Sequence, residues 1–374
     1  MGSDPKVARM KVFWDALLCE SESAGIGRYI QELVSAYRVT FPEDELTAVV
    51  AEGRRLGEVR QIVPHPPVLD SRQRLWFEQI QLGALARSET YDVIHFGDYQ
   101  MPILRPLPRS VVTVHDLVAF KFPQLFPKNV GRVKRFLMRH SVSRATHVIV
   151  PSGATAEDLQ AILGVRPEKI SVVPHGVSPI TGESQAERMH PRPYFLAVGT
   201  LEPRKNFARL IEAFGKRFAD AADGPDLLIA GKPGWLYGST VNAPARYGIA
   251  DRVKFLGFVP DSDLGTLYRD AIAVVYPSLY EGFGFPVAEA LIRAKPLLCS
   301  SGGALEELAG DSAFLVNPYS VDAIAEGLDV MWQGIQPWQQ RAARGALRMQ
   351  EMTWRAAAIK TRNVYDKVIG RETL

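Results

Sequence analysis

Two glutamates, Glu281 and Glu289, stand eight positions apart with a glycine-containing segment between them. Pro286 favours the first turn of a helix and disfavours helix in the residue before it, so we expect Glu281 in a loop and Glu289 one turn into a helix. Free amides at a helix start favour a phosphate, and Glu289 would accept hydrogen bonds from both hydroxyls of a ribose. The residues expected to approach the phosphate closely are Gly282, Phe283, Gly284 and Phe285.

Each glutamate taken alone has an ordinary alternative explanation. Glu289 would be a first-turn acid stabilised by the helix dipole, and Glu281 would be a solvated loop acid. The two glutamates, the two glycines and Pro286 follow directly after the apolar run 271–276, and this combination favours a ligand site.

The spacing of Glu281 and Glu289 resembles the E-x7-E signature of glycosyltransferase family 4, the retaining nucleotide-sugar glycosyltransferases of the GT-B fold. The resemblance implies a nucleotide-sugar donor and transfer with retention of the anomeric configuration. It also implies that Glu281 holds sugar hydroxyls or the charge that develops on the sugar.

Strand-like runs alternate with amphipathic helices in both halves of the chain, which predicts an α/β fold with doubly wound parallel sheets. We expect an N-terminal Rossmann-like acceptor domain at residues 1–178 and a C-terminal Rossmann-like donor domain at 194–353, facing each other across a cleft. Residues 179–193 are rich in Pro, Gly and polar residues and are expected to link them. The resemblance adds that a last helix, within 354–374, packs back on the N-terminal domain.

Two adjacent cations follow a predicted strand in the second half. After Gly199 come Arg204 and Lys205, with Asn206 expected to cap the next helix. Ligands of doubly wound sheets bind beyond the carboxyl ends of the strands, and an arginine fork beside a lysine suits a diphosphate leaving group. A solvated basic turn is the alternative. Where many relatives carry an arginine directly after the glycine, this chain has Thr200, and the resemblance implies that Arg204 takes that role.

Two segments of the N-terminal half also follow predicted strands. The resemblance places His115 next to the donor sugar, where its imidazole would hydrogen-bond a sugar hydroxyl or the transferred group and Asp116 would orient it; a structural histidine is the alternative. Gly25 and Gly27 open a helix whose amides would face the ligand. The third glycine of a dinucleotide fingerprint is missing, so the segment does not indicate a dehydrogenase. The resemblance places this loop by the donor phosphate and the acceptor.

Composition narrows the class of protein. The 374 residues, 47% of them hydrophobic, suffice for two cores, and a net charge of +3 does not indicate a nucleic-acid partner. Cys19 and Cys299 form no zinc or C-x-x-C pattern, which is typical of a reducing cytoplasm. No apolar run approaches the roughly 18 residues of a membrane span. We therefore expect a cytoplasmic enzyme, and no oligomeric state is predicted.

Asp261-Ser262-Asp263 matches the Asp-x-Asp with which another glycosyltransferase class holds a metal ion. The motif stands at the start of a predicted helix, where Asp261 as the N-cap and Asp263 in the first turn explain it. We therefore expect neither a metal nor a separate cofactor. The charge of the leaving diphosphate would be stabilised by Arg204, Lys205 and the loop amides.

The segments 200–206 and 230–235 resemble bacterial GDP-mannose-dependent mannosyltransferases of surface-polysaccharide assembly. The resemblance implies GDP-mannose as the donor, ahead of UDP-glucose or another UDP-hexose, and a glycan or lipid-linked oligosaccharide as the acceptor. Two basic, apolar stretches, 72–77 and 132–139, either rest on the inner leaflet of the membrane or are ordinary amphipathic helices with solvated cations. The classes left open are a non-catalytic nucleotide-sugar or glycan-binding module, a GT-B phosphorylase and a sugar-nucleotide epimerase.

Overall fold

The computed structural model describes residues 9–19, 25–68, 70–104, 107–178 and 189–371. The chain divides into two compact units, the first formed by Met1–Gly176 with Thr353–Leu374 and the second by Val177–Met352. Residues 179–188 of the predicted linker lie outside the described residues. In the parts of the chain that are described, no helix combines the length and the apolar character needed to cross a membrane.

The described part of the first unit contains a seven-stranded parallel sheet. Its strands are β1 (Lys11–Asp15), β2 (Glu45–Val49), β3 (Arg60–Ile62), β4 (Val93–Phe96), β5 (Ser110–Thr113), β6 (His147–Val150) and β7 (Ile170–Val172). They pair in the order β3-β2-β1-β4-β5-β6-β7. The central strands are buried along their whole length, as expected for a sheet covered by helices on both faces.

The helices of this unit are α1 (Ile26–Thr40), α2 (Ser71–Ile80), α3 (Leu82–Leu85), α4 (Val118–Lys121), α5 (Lys128–Arg144), α6 (Gly153–Leu163) and, from the end of the chain, Trp354–Ile369. That last helix packs on α1. Its Tyr365 hydroxyl lies 2.6 Å from Nδ1 of His95 in β4. Gly176 lies against the first residue of this helix, Trp354. A Cβ at Gly176 would lie 2.3 Å from the backbone nitrogen of Trp354, so the contact requires glycine.

Among its described residues the second unit forms a six-stranded parallel sheet. The strands are β8 (Tyr194–Val198), β9 (Asp226–Ala230), β10 (Val253–Gly257), β11 (Ala273–Tyr276), β12 (Leu297–Ser300) and β13 (Phe314–Val316), in the order β10-β9-β8-β11-β12-β13. The helices are α7 (Phe207–Phe218), α8 (Gly238–Arg246), α9 (Asp261–Asp270), α10 (Phe285–Ile292), α11 (Gly303–Ala309), α12 (Val321–Gln333) and α13 (Gln336–Met349).

Alternate residues of the second sheet serve two hydrophobic cores. Leu196 and Leu228 belong to the core on one face, whereas Phe195 and Leu227 belong to the core on the other. The prediction of two Rossmann-like α/β domains is confirmed. The strand order reverses between β1 and β4 in the first unit and between β8 and β11 in the second, which are the positions where such sheets bind ligands.

Candidate active site

The loops that follow β8 and β11 lie side by side at the carboxyl edge of the second sheet. Strand β8 leads into a single 3-10 turn, Pro203–Lys205, and then through Asn206 into α7. The backbone nitrogen of Leu279, in the loop after β11, donates to the carbonyl oxygen of Arg204 at 2.8 Å. A backbone hydrogen bond therefore connects the two segments that the sequence predicts to bind ligand.

Glu281 is the common partner of both predicted cations. Its Oε1 accepts a hydrogen bond from Lys205 Nζ at 2.7 Å, and its Oε2 accepts from Arg204. The second guanidinium nitrogen of Arg204 donates to Glu202 Oε1 at 2.6 Å. The same Oε1 of Glu281 also accepts from the hydroxyls of Tyr276, at 2.8 Å, and Ser278, at 2.7 Å. The site thus balances two buried cations against two buried carboxylates.

Charge balance decides the ionisation of this cluster. Burial alone would raise the pKa of Glu281, but Arg204 and Lys205 outweigh it and lower that pKa to about 2. The pKa of Lys205 is lowered by burial and by Arg204, while Glu281 acts in the opposite direction. Burial and then the Glu281 charge raise the pKa of Tyr276 well above 10, so its hydroxyl keeps its proton.

Glu289 lies inside α10 and is buried, with only 5% of its surface exposed. Its Oε2 accepts a hydrogen bond from the hydroxyl of Tyr268 at 2.8 Å. The side chain of Glu281 is 9% exposed. A solvated loop acid is therefore the wrong explanation for Glu281, and Glu289 stands beyond the first turn of α10, which contains no acidic residue.

The glycines of the site are needed where the backbone turns. Gly284 precedes α10 with φ 103°, and a Cβ there would lie 2.4 Å from Leu305. Gly199 has φ 147°, and a Cβ added to it would lie 3.5 Å from Cε of Lys205. Gly282 and Phe283 are buried, and Phe285 is the first residue of α10, one position earlier than the sequence predicts.

Two expected helix caps are wrong. Asn206 precedes α7 in the left-handed region, with φ 63°, and its side chain does not cap the helix. Instead its Nδ2 donates to the carbonyl oxygens of Pro277 (2.9 Å) and Pro318 (2.7 Å), which ties three loops together. Asp261 is the first residue of α9 rather than its N-cap, a position that Pro260 occupies.

The residues predicted in the N-terminal half belong to the first unit. His115, two positions after β5, has its Nε2 2.9 Å from the carbonyl oxygen of Gly97. Oδ1 of Asp116 accepts from the backbone nitrogen of Val118 at 3.0 Å. Gly25 precedes α1 with φ 72°, and Gly27 is buried within its first turn.

Sequence reasoning missed Glu202, Tyr276 and Ser278 in the second unit. Tyr276 and Ser278 stand at and just after the end of β11, and that position was the one available signal. It also missed a cluster of acids at the carboxyl edge of the first sheet, where Asp15 ends β1 and Glu78 faces it from α2. Among the described residues, no group of His, Cys, Asp or Glu side chains is arranged to hold a metal ion.

Models of two families match the chain in succession. The one described as Glycosyltransferase Family 4 matches residues 24–179, and the one described as Glycosyl transferases group 1 matches residues 183–334. Together the two models span most of the chain.

The similar curated proteins include O-antigen chain mannosyltransferase B of Escherichia coli, which is 27% identical over 95% of this chain and 99% of its own length. O-antigen chain mannosyltransferase RfbU of Salmonella typhimurium is 33% identical over 59% of each chain.

Similar solved structures include sucrose-phosphate synthase from Thermosynechococcus elongatus, with a TM-score of 0.77 and 16% identity over 96% of this chain and 99% of that one. HepE from Anabaena, in complex with UDP and glucose, has a TM-score of 0.69 and 18% identity over 92% and 95% of the two chains. At these identities the structures show the fold alone.

Proposed function

Because the chain belongs to glycosyltransferase family 4, we propose that it transfers mannose from GDP-mannose to a glycan or lipid-linked oligosaccharide during surface-polysaccharide synthesis. The observation that carries the proposal is the buried cluster of Arg204, Lys205 and Glu281 at the carboxyl edge of β8 and β11. The names of the relatives, O-antigen mannosyltransferases from two bacteria, support mannose as the sugar.

In this proposal Arg204 and Lys205 stabilise the charge that develops on the leaving diphosphate. Both side chains are mostly buried, so the charges act in a medium of lower dielectric than water. Glu281 opposes the lowering of the Lys205 pKa that burial and the neighbouring guanidinium cause. Glu281 therefore has a second proposed role besides its contact with the sugar.

Glu289 is proposed to hold the ribose. Its Oε2 already accepts from Tyr268, but each carboxylate oxygen has two lone pairs and can accept more than one hydrogen bond. The helix that carries Glu289 starts at Phe285, and the positive end of its dipole favours an adjoining phosphate. His115 remains a proposed contact of the donor sugar, and Gly25 and Gly27 remain proposed neighbours of the donor phosphate.

We further propose that transfer retains the anomeric configuration and needs no metal ion. The position of Asp261 and Asp263 supports metal independence, because both lie in the first turn of α9, where the helix dipole stabilises acids without a metal. EDTA should therefore leave most activity in place. Loss of activity on chelation, restored by manganese, would instead assign Asp261 and Asp263 to the site.

Peripheral contact with the inner leaflet of the membrane is part of the proposal. Several exposed side chains of α2, of α5 and of the loop after β4 are apolar or cationic: Arg72, Trp76, Ile80, Leu104, Arg132, Val133, Phe136 and Arg139. The loop joins the two helices, because Gln79 Nε2 donates to the carbonyl oxygen of Met101 (3.3 Å) and the nitrogen of Met101 donates to Ser141 Oγ (3.1 Å). Such a surface suits anionic lipid.

Sedimentation with anionic and with uncharged vesicles tests this contact. Trp76→Ser together with Phe136→Ser should abolish binding to anionic vesicles, whereas Leu347→Ser, which changes an exposed leucine of α13, should not. Equal sedimentation of the parent with both kinds of vesicle would remove the membrane from the proposal.

A UDP-hexose is the second candidate donor, which the resemblance of the sequence leaves behind GDP-mannose. Incubation with a panel of nucleotide sugars, followed by measurement of nucleoside diphosphate release with and without candidate acceptors, distinguishes the donors. Release of GDP from GDP-mannose that increases with an oligosaccharide acceptor is the expected result. Donor binding without release from any nucleotide sugar would favour a non-catalytic module.

A further inference from the structure

The end of β11 supplies two hydroxyl groups to the same oxygen of Glu281. Tyr276, the last residue of the strand, donates at 2.8 Å, and Ser278 donates at 2.7 Å. Tyr276 is 0% exposed and Ser278 is 1% exposed. Side chains buried so completely do not contact a substrate in this structure, so any part they play in transfer acts through the side chains that they hold.

The hydroxyl of Tyr276 also contacts Lys205, the cation that pairs with Glu281. It accepts a hydrogen bond from Lys205 Nζ at 2.6 Å, and the ammonium lies 5.2 Å from the centre of the tyrosine ring. One hydroxyl therefore fixes both the position of the Lys205 ammonium and the orientation of the Glu281 carboxylate. A phenylalanine at this position would keep the ring and lose both hydrogen bonds.

Ser278 is itself held in place by the neighbouring strand. Its carbonyl oxygen accepts from the hydroxyl of Ser300, at the end of β12, at 2.6 Å. The loop after β11 is thus anchored on both sides, to β12 through Ser278 and to the turn after β8 through Leu279 and Arg204. The Glu281 carboxylate consequently meets the two cations in one defined geometry.

We propose that Tyr276 is a positioning residue for sugar transfer, which holds Lys205 and Glu281 in the geometry that the reaction needs, with Ser278 supporting Glu281. The inference rests on the proposed function. It assigns to a buried tyrosine of an apolar strand a task beyond packing. Preorganised charges of this kind lose much of their effect when their directions are no longer fixed.

The pH profile gives a readout that a packing role would not change. The charged and titratable groups that act on Lys205 are Arg204 and Glu202 from its own turn, and Glu281 and Tyr276 from β11 and its loop. Activity should fall as the pH rises through the pKa of Lys205, which burial already lowers. Without the Tyr276 oxygen the ammonium loses an acceptor, so this alkaline limb should move to lower pH.

The test compares Tyr276→Phe in two backgrounds, the parent enzyme and Glu281→Gln. In the parent background, kcat for nucleoside diphosphate release should fall about tenfold, the scale of a lost hydrogen bond to a charged group. The KM for the donor should change less than about threefold, because the hydroxyl touches no substrate. In the Glu281→Gln background the same change should cost a smaller factor than in the parent, because only the hydrogen bond to Lys205 is left to lose.

Tyr194→Phe is the matched control. It removes an equally buried hydroxyl from β8, which donates to the carbonyl oxygen of Leu267 at 2.9 Å away from the site. It should lower the melting temperature without changing kcat or the pH profile. If Tyr276→Phe behaves like Tyr194→Phe, or costs the same factor in both backgrounds, the positioning role is wrong.

Ser278→Ala provides a second variant with the same readouts should Tyr276→Phe not fold. It should lower kcat less than Tyr276→Phe, because Lys205 keeps its acceptor. A parent enzyme that releases no nucleoside diphosphate from any donor would overturn the proposed function and this inference together. An active parent with an unchanged Tyr276→Phe variant would overturn only the inference.

Discussion

Glu281 in the second unit and Asp15 in the first occupy comparable places in their sheets. Asp15 ends β1 next to β4, and Glu281 lies in the loop after β11 next to β8, so each stands where the strand order reverses. Both are buried, and burial is the first influence on the pKa of each. Yet the pKa of Glu281 is lowered to about 2, whereas that of Asp15 is raised to about 7.

The difference between the two pKa values comes from the charged and hydrogen-bonding groups around each carboxylate. Glu281 accepts hydrogen bonds from two cations and two hydroxyls. Asp15 accepts from the backbone nitrogen of Leu17 at 3.3 Å, and the favourable charge of Arg74 is shared with Glu78, whose Oε1 lies 3.3 Å from Arg74 Nε. The pKa of Glu78 is itself raised, by burial and then by Asp15. The two cations beside Glu281 thus stabilise its charge, whereas Asp15 shares one cation with a second acid.

Removing a cation from the second unit should have the largest effect. Lys205→Ala should lower turnover by about 100-fold or more, because it removes a preorganised charge facing the leaving diphosphate. Nucleoside diphosphate release at saturating donor measures this, with circular dichroism to verify folding. Lys216→Ala, which removes an exposed lysine paired with Asp322, should keep parental turnover. A folded Lys205→Ala protein with near-parental turnover would refute the role.

Glu281→Gln and Glu289→Gln should separate sugar chemistry from nucleotide binding. Glu289→Gln should weaken binding of free GDP or UDP about tenfold, because a charged acceptor of the ribose hydroxyls is lost, and a 2′-deoxy nucleotide should bind poorly to the parent. Glu281→Gln should lower turnover by about 10- to 100-fold and leave diphosphate affinity unchanged or higher, since it frees Arg204 and Lys205 from an internal anion.

Calorimetry with GDP and UDP on both variants, set beside their transfer rates, gives the measurement. Equal loss of diphosphate affinity in the two variants would contradict this division of roles. A selective loss in Glu289→Gln would support the position of Glu289 in α10 as the reason for it.

The sequence predicts this site well where a local pattern controls the backbone. Pro286 and the glycines indicate a loop followed by a helix, and the structure starts α10 at Phe285, within one residue. Continuous apolar runs likewise predict the buried strands. Strand β3, Arg60–Ile62, was missed because it is a three-residue edge strand without a buried residue, so it leaves no apolar run to detect.

Pairings between distant residues could not be read from local patterns. Glu281 and Lys205 are 76 positions apart, and only the adjacency of β8 and β11 brings them together. Tyr276 ends an apolar strand and has the sequence signature of a core residue. No local sequence pattern connects Asp15 with Glu78 either, because only folding brings α2 next to the end of β1.

In the first unit, neutralising a carboxylate should stabilise the protein. The unfolded state loses the Asp15 proton near pH 4, whereas the folded state keeps it to about pH 7, so the free energy of unfolding falls as the pH rises between these values. Asp15→Asn keeps the acceptor for Leu17 and removes the charge. At pH 8 it should raise the free energy of unfolding, by up to about 4 kcal/mol for this pKa shift, and flatten the pH dependence.

Denaturant unfolding at several pH values measures this, and Asp44→Asn is the control. Asp44 is also buried in the first unit, but it is paired with Arg362 at 3.2 Å, so removing its charge should destabilise the protein. Destabilisation of Asp15→Asn to the same degree at pH 8 would mean that Asp15 is a stably charged group like Glu281.

The smallest effect is expected from Asp98, which follows β4 and raises the pKa of Asp15 and Glu78 less strongly than burial does. Asp98→Asn should lower the midpoint of the pH-dependent stability change by less than about one unit, because one repelling charge is lost while burial stays. Asp92→Asn, at the opposite end of β4, where Oδ2 accepts from the nitrogen of Lys11, should leave the midpoint in place. An unmoved or raised midpoint in Asp98→Asn would show that Asp98 does not contribute to the raised pKa of Asp15.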